Sequence, residues 1–314
     1  MLNLIKQAPG KKGYLQISFA WLFAIIVGAV ILFLAIYGVT KLGKTGEQAT
    51  TAKAGKEIGV LLNPLETGFE TAKTTTLNIP VDTQLINECN NFSYFGQQGI
   101  KLSQKSFNKW VDTDTSSIFL NKYIFSKNPV QGQTFFIFSK TFNFPYKVSD
   151  VVYLTSADDR YCFVNPPKRI MSELSSLNQS NIFQENCPEN ITRVCFKNTD
   201  SNCDIRVNDD MKTVSDEDEI VHYETDALIY GAIFSDKRTY ECQTERLIKR
   251  AKELASLYDS KQELLVKQKC TRDVDIGGFE SFLDSYTDSS ELAISSGIAT
   301  RVDAENSGAR CRLW

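Results

Sequence analysis

Histidine is almost absent from this sequence, since His222 is the only one among 314 residues. One histidine cannot build a Cys/His zinc cluster, and the 8 cysteines contain no Cys-x-x-Cys pair. The nucleophile-elbow, metalloprotease, phosphate-loop and dinucleotide-binding motifs are missing as well. The chain therefore lacks the signatures of the common motif-bearing enzymes, and we predict no catalytic residue, no metal ligand and no cofactor.

A basic patch is also missing. The net charge is −3, and no lysine- or arginine-rich stripe follows the N-terminal part of the chain. Proteins that bind nucleic acid need such a patch to neutralise phosphates. We therefore predict no nucleic-acid partner.

Three features leave room for chemistry or binding, each with a simpler alternative. His222 and Glu224 share one face of a predicted strand and could act as a base and its orienting acid, but a histidine merely accommodated in a strand is favoured. The acidic run Asp216–Glu219 offers Ca²⁺ ligands yet lacks the EF-hand spacing, which favours a solvated loop. The aromatic residues of Phe135–Phe144 could line a binding surface, but a core strand is favoured. We predict that the protein is not an enzyme.

One long uncharged run is present, from Tyr14 to Thr40. As a helix it would be roughly 40 Å long, which exceeds the hydrocarbon thickness of a bilayer. We predict a transmembrane helix, with the lipid bilayer as its first partner. The run is too long for the apolar region of an ordinary signal peptide, so we expect it to remain attached as a signal anchor.

The cysteines decide the orientation, because lysines flank the run on both sides. All 8 lie after it and form an even, widely spaced set, typical of a disulfide-stabilised domain in an oxidising compartment. Three N-glycosylation sequons, at Asn91, Asn178 and Asn190, agree with that placement. We predict a cell-membrane protein with a cytoplasmic N-terminus and an extracytoplasmic C-terminal domain. The candidate disulfide residues are Cys89, Cys162, Cys187, Cys195, Cys203, Cys242, Cys270 and Cys311.

The residues before the run are Lys11, Lys12 and Gly13. This segment resembles the class III signal of archaeal type IV pilin-like proteins. The resemblance implies that a membrane peptidase cuts after Gly13 and that the apolar helix serves as both anchor and filament core. The whole chain also resembles uncharacterised single-pass archaeal surface proteins, a resemblance that implies no activity. A plain signal anchor with flanking lysines is the alternative.

Composition divides the chain into six segments. Residues 1–13 are a cytoplasmic leader, 14–40 the transmembrane helix and 41–76 a membrane-proximal stalk that could prolong the helix. Residues 77–235 alternate β-branched and aromatic runs with turn formers, which predicts an antiparallel or mixed sheet with one helix, Pro167–Leu177. Residues 236–270 have apolar positions three to four apart and form a long amphipathic helix. Residues 271–314 are rich in serine and aspartate, with one short helical face near Phe279 and otherwise loose structure to Ala309. The predicted strands are Gln84–Cys89, Gly99–Leu102, Ile118–Phe125, Thr134–Ser139, Val151–Thr155, Tyr161–Val164, Thr192–Phe196, Cys203–Val207 and Glu219–Tyr223.

The long helix constrains the disulfides. Cys242 and Cys270 would stand about 40 Å apart along it, and a disulfide needs Cα atoms within about 7 Å. Cys242 should therefore pair back to the sheet, and Cys270 could pair with Cys311. Cys187, Cys195 and Cys203 are close enough in sequence for a short-range bridge.

The predicted fold class is α+β, with an N-terminal transmembrane helix, a β-rich disulfide-stabilised ectodomain and a long C-terminal amphipathic helix. We expect an extracytoplasmic structural or binding protein that self-associates or binds a surface protein. A pilin-like filament subunit processed after Gly13 is the first alternative, and a membrane-tethered enzyme is the second.

Overall fold

Twelve β-strands and six α-helices lie within the residues that this computed structural model describes, which are 19–62, 73–92, 94–106, 109–184, 186–196, 202–217, 219–270 and 274–314. The chain divides into two units, residues 1–50 and 51–314, which are described separately. The helices are α1 (Phe19–Leu62), α2 (Lys168–Leu177), α3 (Asp226–Phe234), α4 (Lys237–Lys267), α5 (Ile276–Asp284) and α6 (Leu292–Gly308). The strands are β1 (Lys73–Asn90), β2 (Gln97–Ser106), β3 (Lys109–Phe119), β4 (Ile124–Phe125), β5 (Val130–Asn143), β6 (Lys147–Ser156), β7 (Tyr161–Val164), β8 (Ile182–Phe183), β9 (Thr192–Phe196), β10 (Ile205–Asn208), β11 (Thr213–Asp216) and β12 (Glu219–His222).

The uncharged run forms the first part of α1. Among the described residues, Phe19–Val39 is the one helical segment long and apolar enough to cross a membrane, and its large side chains are exposed. The backbone remains helical to Leu62, although glycine at Gly43 and Gly46 costs about 1 kcal/mol each relative to alanine. Residues 14–18 of the predicted span and residues 63–72 of the predicted stalk lie outside the described residues.

The five longest strands and the two-residue β4 form one six-stranded sheet, here called sheet A, in the order β3-β2-β1-β5-β6-β4. Its neighbouring strands are antiparallel except β4 and β6, which are parallel. The predicted strand Thr134–Ser139 is part of β5, which lies in the interior of the sheet between β1 and β6. Phe135 and Ile137 point to one side of this sheet, and Phe138 and Phe142 belong to the core on the other side.

The remaining strands have two to five residues and form sheet B, in the order β12-β11-β10-β9-β7-β8. Strands β8, β7, β9 and β10 run parallel, whereas β11 and β12 complete the sheet antiparallel. The prediction of a mixed sheet is therefore confirmed, but the region holds two sheets. The predicted strand Ile118–Phe125 is split, because β3 ends at Phe119 and β4 begins at Ile124.

The main core lies where both sheets meet the helices. It contains Phe138 from sheet A, Phe163 from sheet B and apolar side chains from α2 to α6. Every residue of α3 after Asp226 is buried, and a Cβ at Gly231 would come within 2.7 Å of the Phe125 ring. Glycine therefore lets α3 approach β4 closely. The sequence did not predict α3, because its continuous apolar run has no helical period.

Helix α4, Lys237–Lys267, lies within the predicted range of residues 236–270 and covers most of it. Asp236 caps it, and its carboxylate accepts a hydrogen bond from the Thr239 backbone N–H at 2.8 Å. The buried side of α4 mixes apolar residues such as Tyr240 and Leu247 with polar residues such as Gln243 and Arg246. This mixture departs from the predicted apolar stripe. The buried polar side chains of α4 form hydrogen bonds with neighbouring segments.

The C-terminal segment is more ordered than the sequence predicts. The expectation of loose structure to Ala309 is wrong, because α6 covers Leu292–Gly308. Its buried residues recur every three or four positions, which is the period of one helix face. Two of the five are polar, which hid the pattern: they are Leu292, Ser295, Ala299, Val302 and Asn306.

All 8 cysteines form disulfides, in the pairs Cys89–Cys242, Cys162–Cys187, Cys195–Cys203 and Cys270–Cys311. The pairing of Cys242 with the sheet is confirmed, since Cys89 belongs to β1. The Cys270–Cys311 pair is confirmed as well. The expected short-range bridge among Cys187, Cys195 and Cys203 is the Cys195–Cys203 bond. Two of the four disulfides hold segments of sheet B.

Candidate binding surface

Aromatic side chains are exposed in the connection between β1 and β2. This segment, residues 91–96, is called the aromatic loop below, and its residue 93 lies outside the described residues. Phe92 is 78% exposed, Tyr94 73% and Phe95 37%. Leu120, 60% exposed, is a neighbour, because one guanidinium binds the backbone carbonyls of both Phe95 and Leu120. Aromatic residues concentrated on a surface are typical of interaction sites.

The base of the aromatic loop is covalently fixed. Cys89, near the end of β1, is bonded to Cys242 in the second turn of α4, with their Cα atoms 6.1 Å apart. The loop then turns where the Phe92 backbone N–H donates to the Asn90 side-chain oxygen at 2.8 Å. The loop therefore starts from a fixed position on α4.

One face of α4 holds the loop through further contacts. Cys242, Glu245, Arg246 and Lys249 recur at the spacing that places side chains on a single helix face. The Asn91 side-chain N–H donates to Glu245 Oε2 at 2.5 Å, and Lys249 Nζ donates to the Asn91 carbonyl at 2.9 Å. Lys249 also pairs with Glu245 at 2.8 Å. Asn91 is thus bound through both its side chain and its backbone.

Arg246 is the central contact, and it is completely buried. Its Nε donates to the Phe95 carbonyl at 2.9 Å, and its two terminal nitrogens donate to the carbonyls of Lys122 at 2.9 Å and Leu120 at 3.2 Å. Its guanidinium lies 4.8 Å from the centre of the Tyr123 ring. Among the described contacts of Arg246 there is no carboxylate, so backbone dipoles and an aromatic face hold its charge.

Burial lowers the pKa of Arg246 to about 10, because a desolvated guanidinium loses the hydration of its charge. This value is still well above neutrality, so Arg246 is charged near pH 7. A buried charge costs free energy unless it is fully hydrogen-bonded. Arg246 therefore explains the polar buried side of α4: it joins the aromatic loop to the turn after β3.

Gly96 is required at the end of the loop. Its φ of +59° is in the left-handed region, where side chains with a Cβ are strained. A Cβ there would also lie 2.9 Å from Arg246 Nε and would collide with the Asn90 carbonyl. Glycine therefore permits both the turn and the close approach of the arginine.

A chain of buried amides continues from Arg246 into sheet A. Arg246 donates to the Gln243 side-chain oxygen at 2.8 Å, and Gln243 donates to the side chain of Gln98 on β2. Gln98 donates to Asn87 on β1 at 2.7 Å, and Asn87 donates to the Ile124 carbonyl at 2.8 Å. Satisfied buried networks of this kind fix one arrangement of the groups that they join. The exposed aromatics therefore stand on a rigid base.

A shallow groove of about 430 Å³ adjoins the loop. Tyr94 forms one wall, while Ile248 of α4 and Leu283 of α5 supply apolar surface. Lys252 donates to Asp284 at 2.6 Å across it, and this hydrogen bond raises the pKa of Lys252. The groove extends the exposed surface of Tyr94 toward α5.

The structure gives the residues around His222 other roles. The His222 backbone N–H donates to Ser289 Oγ at 3.0 Å, and its carbonyl accepts from the Tyr240 hydroxyl at 2.5 Å. Glu224 accepts from the Ser296 hydroxyl at 2.5 Å. In the described part of the chain no hydrogen bond joins the side chains of His222 and Glu224, so the structure does not bring the predicted pair together.

The other candidate residues from the sequence are an aromatic strand, an acidic run and a processing segment. Phe135, Phe138 and Phe142 are buried, which confirms the prediction of a core strand. In the acidic run residue 218 lies outside the described residues, and no group of three or more histidine, cysteine or acidic side chains in the described ranges could hold a metal ion. The candidate processing residues Lys11, Lys12 and Gly13 also lie outside the described residues.

The three sequon asparagines differ in their surroundings. Asn91 is half-buried and bonded to Glu245, as described above. Asn178 and Asn190 are exposed and have left-handed backbones, with φ of 49° and 55°. Asn178 ends α2, and Asn190 precedes β9.

Sequence reasoning missed the aromatic loop and its support. The phenylalanines and tyrosine of residues 91–96 were a visible signal, because three aromatics in a six-residue turn are unusual for a solvated loop. Arg246 gave no comparable signal, since the backbone carbonyls that it binds lie more than one hundred residues away in the sequence.

Known proteins do not supply a function for this surface. Comparisons of the chain with protein-family models, with curated proteins and with solved structures found no match.

Proposed function

We propose that this protein is a single-pass, membrane-anchored extracytoplasmic binding protein whose aromatic loop contacts a protein partner at the cell surface. The proposed role is non-enzymatic. The observation that carries it is the exposure of Phe92 and Tyr94 on a base fixed by a disulfide and a buried arginine. The N-terminal helix supplies the anchor in this proposal, and the residues from β1 onward form the exported domain.

The anchoring part rests on two observations. Phe19–Val39 exposes an uninterrupted apolar surface that water would disfavour and lipid would accept. Four disulfides favour an oxidising compartment for the domain that contains them. Together they support a cytoplasmic N-terminus and an extracytoplasmic C-terminal domain.

The binding part rests on rigidity combined with exposure. Aromatic side chains dominate the energetics of protein interfaces, and those already fixed before binding lose little conformational entropy. The Arg246 contacts and the Cys89–Cys242 disulfide pay that ordering cost during folding. Phe92 and Tyr94 are therefore suited to anchor a partner.

Site-specific photo-crosslinking on intact cells tests the surface. A photoreactive amino acid is placed at position 92, at position 94, or at the similarly exposed control position Met211 in the turn between β10 and β11. We expect one discrete adduct from positions 92 and 94 and none from 211. Equal adducts from all three positions, or none, would contradict the proposal.

Affinity measurement with the crosslinked partner, once purified, sharpens this test. Central interface aromatics typically contribute 2 kcal/mol or more, which is about 30-fold in affinity. We expect Phe92→Ala or Tyr94→Ala to weaken binding by at least about tenfold, and Met211→Ala to leave it unchanged. Wild-type affinity in both loop variants would exclude the aromatic loop as the contact surface.

Protease treatment of intact cells tests the topology separately. We expect an external protease to remove the C-terminal domain while a short membrane-embedded fragment containing α1 remains. Complete protection of that domain, under conditions in which an exported control protein is digested, would reverse the proposed orientation.

A pilin-like filament subunit is the second candidate. One observation favours it: an exposed apolar face of α1 can pack against another apolar helix, and it is formed by Ile25, Ile26, Ala29, Val30, Phe33 and Leu34. Intact mass spectrometry of the membrane-extracted chain tests it. A loss equal to residues 1–13, together with recovery of the chain in sheared filaments, would support a filament subunit, whereas a full-length chain would leave a plain signal anchor.

A further inference from the structure

We infer that the folded protein carries N-linked glycans on Asn178 and Asn190 and none on Asn91. This inference rests on the extracytoplasmic location in the proposed function, because such glycans are added to exported domains. All three asparagines satisfy the same Asn-x-Ser/Thr rule. The structure separates them by the surroundings of the side-chain nitrogen.

Asn178 and Asn190 present that nitrogen to solvent. Both residues are exposed and occupy left-handed turns, Asn178 at the C-terminal end of α2 and Asn190 ahead of β9. No hydrogen bond is described for either side-chain amide within the described ranges. A membrane glycosyltransferase can therefore approach both asparagines without displacing a described hydrogen bond of their side-chain amides.

The topology of sheet B places the two asparagines at one end of the sheet. Ile182 of β8 and Thr192 of β9 are both paired with Tyr161 of the parallel strand β7 between them. Asn178 precedes Ile182 by four residues, and Asn190 precedes Thr192 by two. Since parallel strands begin at the same end, the two glycans would stand beside each other, with β7 between the strands that they precede.

Asn91 differs in each respect. It is half-buried, its amide N–H donates to Glu245 Oε2 at 2.5 Å, and its carbonyl accepts from Lys249. The Cys89–Cys242 disulfide fixes the chain two residues earlier. The folded loop cannot offer this nitrogen to an enzyme without releasing α4, so the neighbouring aromatics remain free of sugar.

The position of the pair gives the glycans a physical effect. Strand β8 is an edge of sheet B, and an open edge is a template for pairing with other chains. A bulky hydrophilic group at Asn178 would stand at the end of this edge, and one at Asn190 would stand two strands further in, at the same end of the sheet. They would restrict contact there and leave the aromatic loop as the accessible apolar surface.

The reaction needs one co-substrate, a lipid-linked oligosaccharide. The asparagine Nδ2 attacks the anomeric carbon of the sugar, and a C–N bond forms as the bond between that carbon and the phosphate oxygen of the lipid carrier breaks. The amide loses one proton, and the lipid phosphate leaves with the bonding electron pair. No oxidant or reductant takes part.

Transfer in vitro tests the inference on the full chain in detergent. Folded protein is incubated with a purified single-subunit oligosaccharyltransferase that accepts Asn-x-Ser/Thr and with a lipid-linked oligosaccharide. A second sample is reduced and unfolded first. We expect glycopeptides at Asn178 and Asn190 from the folded sample and at all three asparagines from the unfolded one. Asn178 should be modified faster, since Ser180 is exposed whereas Thr192 begins β9.

Matched variants identify each site. Asn178→Gln and Ser180→Ala should each remove the same glycopeptide, and Asn190→Gln should remove the other. Modification of Asn91 in the folded sample, or none at Asn178 and Asn190 while the unfolded sample is modified, would overturn the inference. Protease treatment of intact cells reports the location independently, so a misplaced domain and an unmodified but exported domain are distinguishable outcomes.

Discussion

Sheets A and B have the same number of strands but are stabilised differently. Five strands of sheet A, β1, β2, β3, β5 and β6, have ten or more residues and pair in antiparallel ladders. No strand of sheet B exceeds five residues, and four of its strands run parallel. Cys162–Cys187 and Cys195–Cys203 both hold segments of sheet B, whereas Cys89–Cys242 joins sheet A to α4.

The difference shows where covalent bonds are needed. Long ladders bury apolar side chains on both faces of sheet A, so hydrogen bonding and burial hold it without bonds inside the sheet. Short parallel strands bury less and pair slightly more weakly per residue. Sheet B therefore depends on disulfides for its order, and sheet A uses its disulfide to position the aromatic loop.

Removing both disulfides of sheet B should cause the largest loss of stability. In the loop-closure model, alanine at Cys162, Cys187, Cys195 and Cys203 lowers the free energy of unfolding by about 6 kcal/mol. Hydrogen exchange should show β9 and β10 losing protection while β5 and β6 keep it. Equal loss of protection in both sheets would contradict the difference proposed here.

Removing Cys89–Cys242 should have the next largest effect, because its sequence separation of 153 is the largest of the four. The same model gives about 5 kcal/mol for Cys89→Ala with Cys242→Ala. We expect faster proteolysis and exchange in the aromatic loop, with sheet A retained. Denaturant unfolding that shows a smaller loss of unfolding free energy than removal of Cys195–Cys203 alone would contradict this prediction.

Arg246→Met tests the noncovalent support of the loop. Three backbone carbonyls, one buried and two partly buried, would lose their donor, which we expect to cost about 3 kcal/mol in unfolding free energy. Arg250→Met is the matched control on the same helix, where Nε donates to the Val148 carbonyl, and it should cost about 1 kcal/mol. Similar losses for the two variants would show that burial of Arg246 has no special role.

Gly96→Ala probes the close approach beneath the loop. A left-handed φ costs a residue with a Cβ about 1–2 kcal/mol, and the contact with Arg246 adds to it, so we expect a loss of about 2 kcal/mol. Gly297→Ala in α6 is the control, because its Cβ would meet open space, and it should stabilise by up to about 1 kcal/mol. Chemical denaturation of both variants measures the difference.

Raising the pH should have the smallest effect on the free energy of unfolding, and this effect should be the same for a buried tyrosine in either sheet. Burial raises the pKa of Tyr153 in sheet A well above its usual value, and burial also raises the pKa of Tyr161 in sheet B. The unfolded tyrosine ionises near pH 10 while the folded one stays protonated, so this contribution to stability is complete below pH 10 and lost as pH rises.

Tyr153→Phe removes a hydrogen bond to the Ala227 carbonyl and should cost about 1 kcal/mol at pH 8. At pH 11 the wild type should lose about 1.4 kcal/mol that the variant does not lose. Tyr161→Phe should likewise avoid this loss, so between pH 8 and pH 11 it should gain about 1.4 kcal/mol of unfolding free energy relative to the wild type. Unfolding titrations at the two pH values that reveal no such gain would contradict burial as the cause.

Local sequence patterns predicted the strands and helices whose periodicity matches the secondary structure that they form. The strands β7 and β9 match the predicted ranges, since short aromatic and β-branched runs between turn formers have few alternatives. The length of α4 followed from its period, and distance along that helix excluded the pairing of Cys242 with Cys270. Strand β3 was missed because it is a polar edge strand, and α6 because serine and asparagine fill part of its buried face.

The candidate surface required contacts that no local pattern contains. Phe95 and Arg246 are 151 residues apart, and Leu120 joins them from a third segment. A charged residue on a long helix is ordinarily solvated, so no local pattern predicts that Arg246 is buried. The exposure of Phe92 and Tyr94 becomes meaningful only once the support beneath them is known.

The position of β1 in the chain has a mechanical consequence. It follows α1, separated by residues 63–72, and ends where the aromatic loop begins. A pulling force between the N-terminal helix and a partner held by the loop would load β1 along its length. Because β1 is an extended strand that both pulling points share, its covalent backbone would carry this load directly, while its hydrogen bonds to β2 and β5 hold it in the sheet. The Cys89–Cys242 bond would pass part of the load to α4.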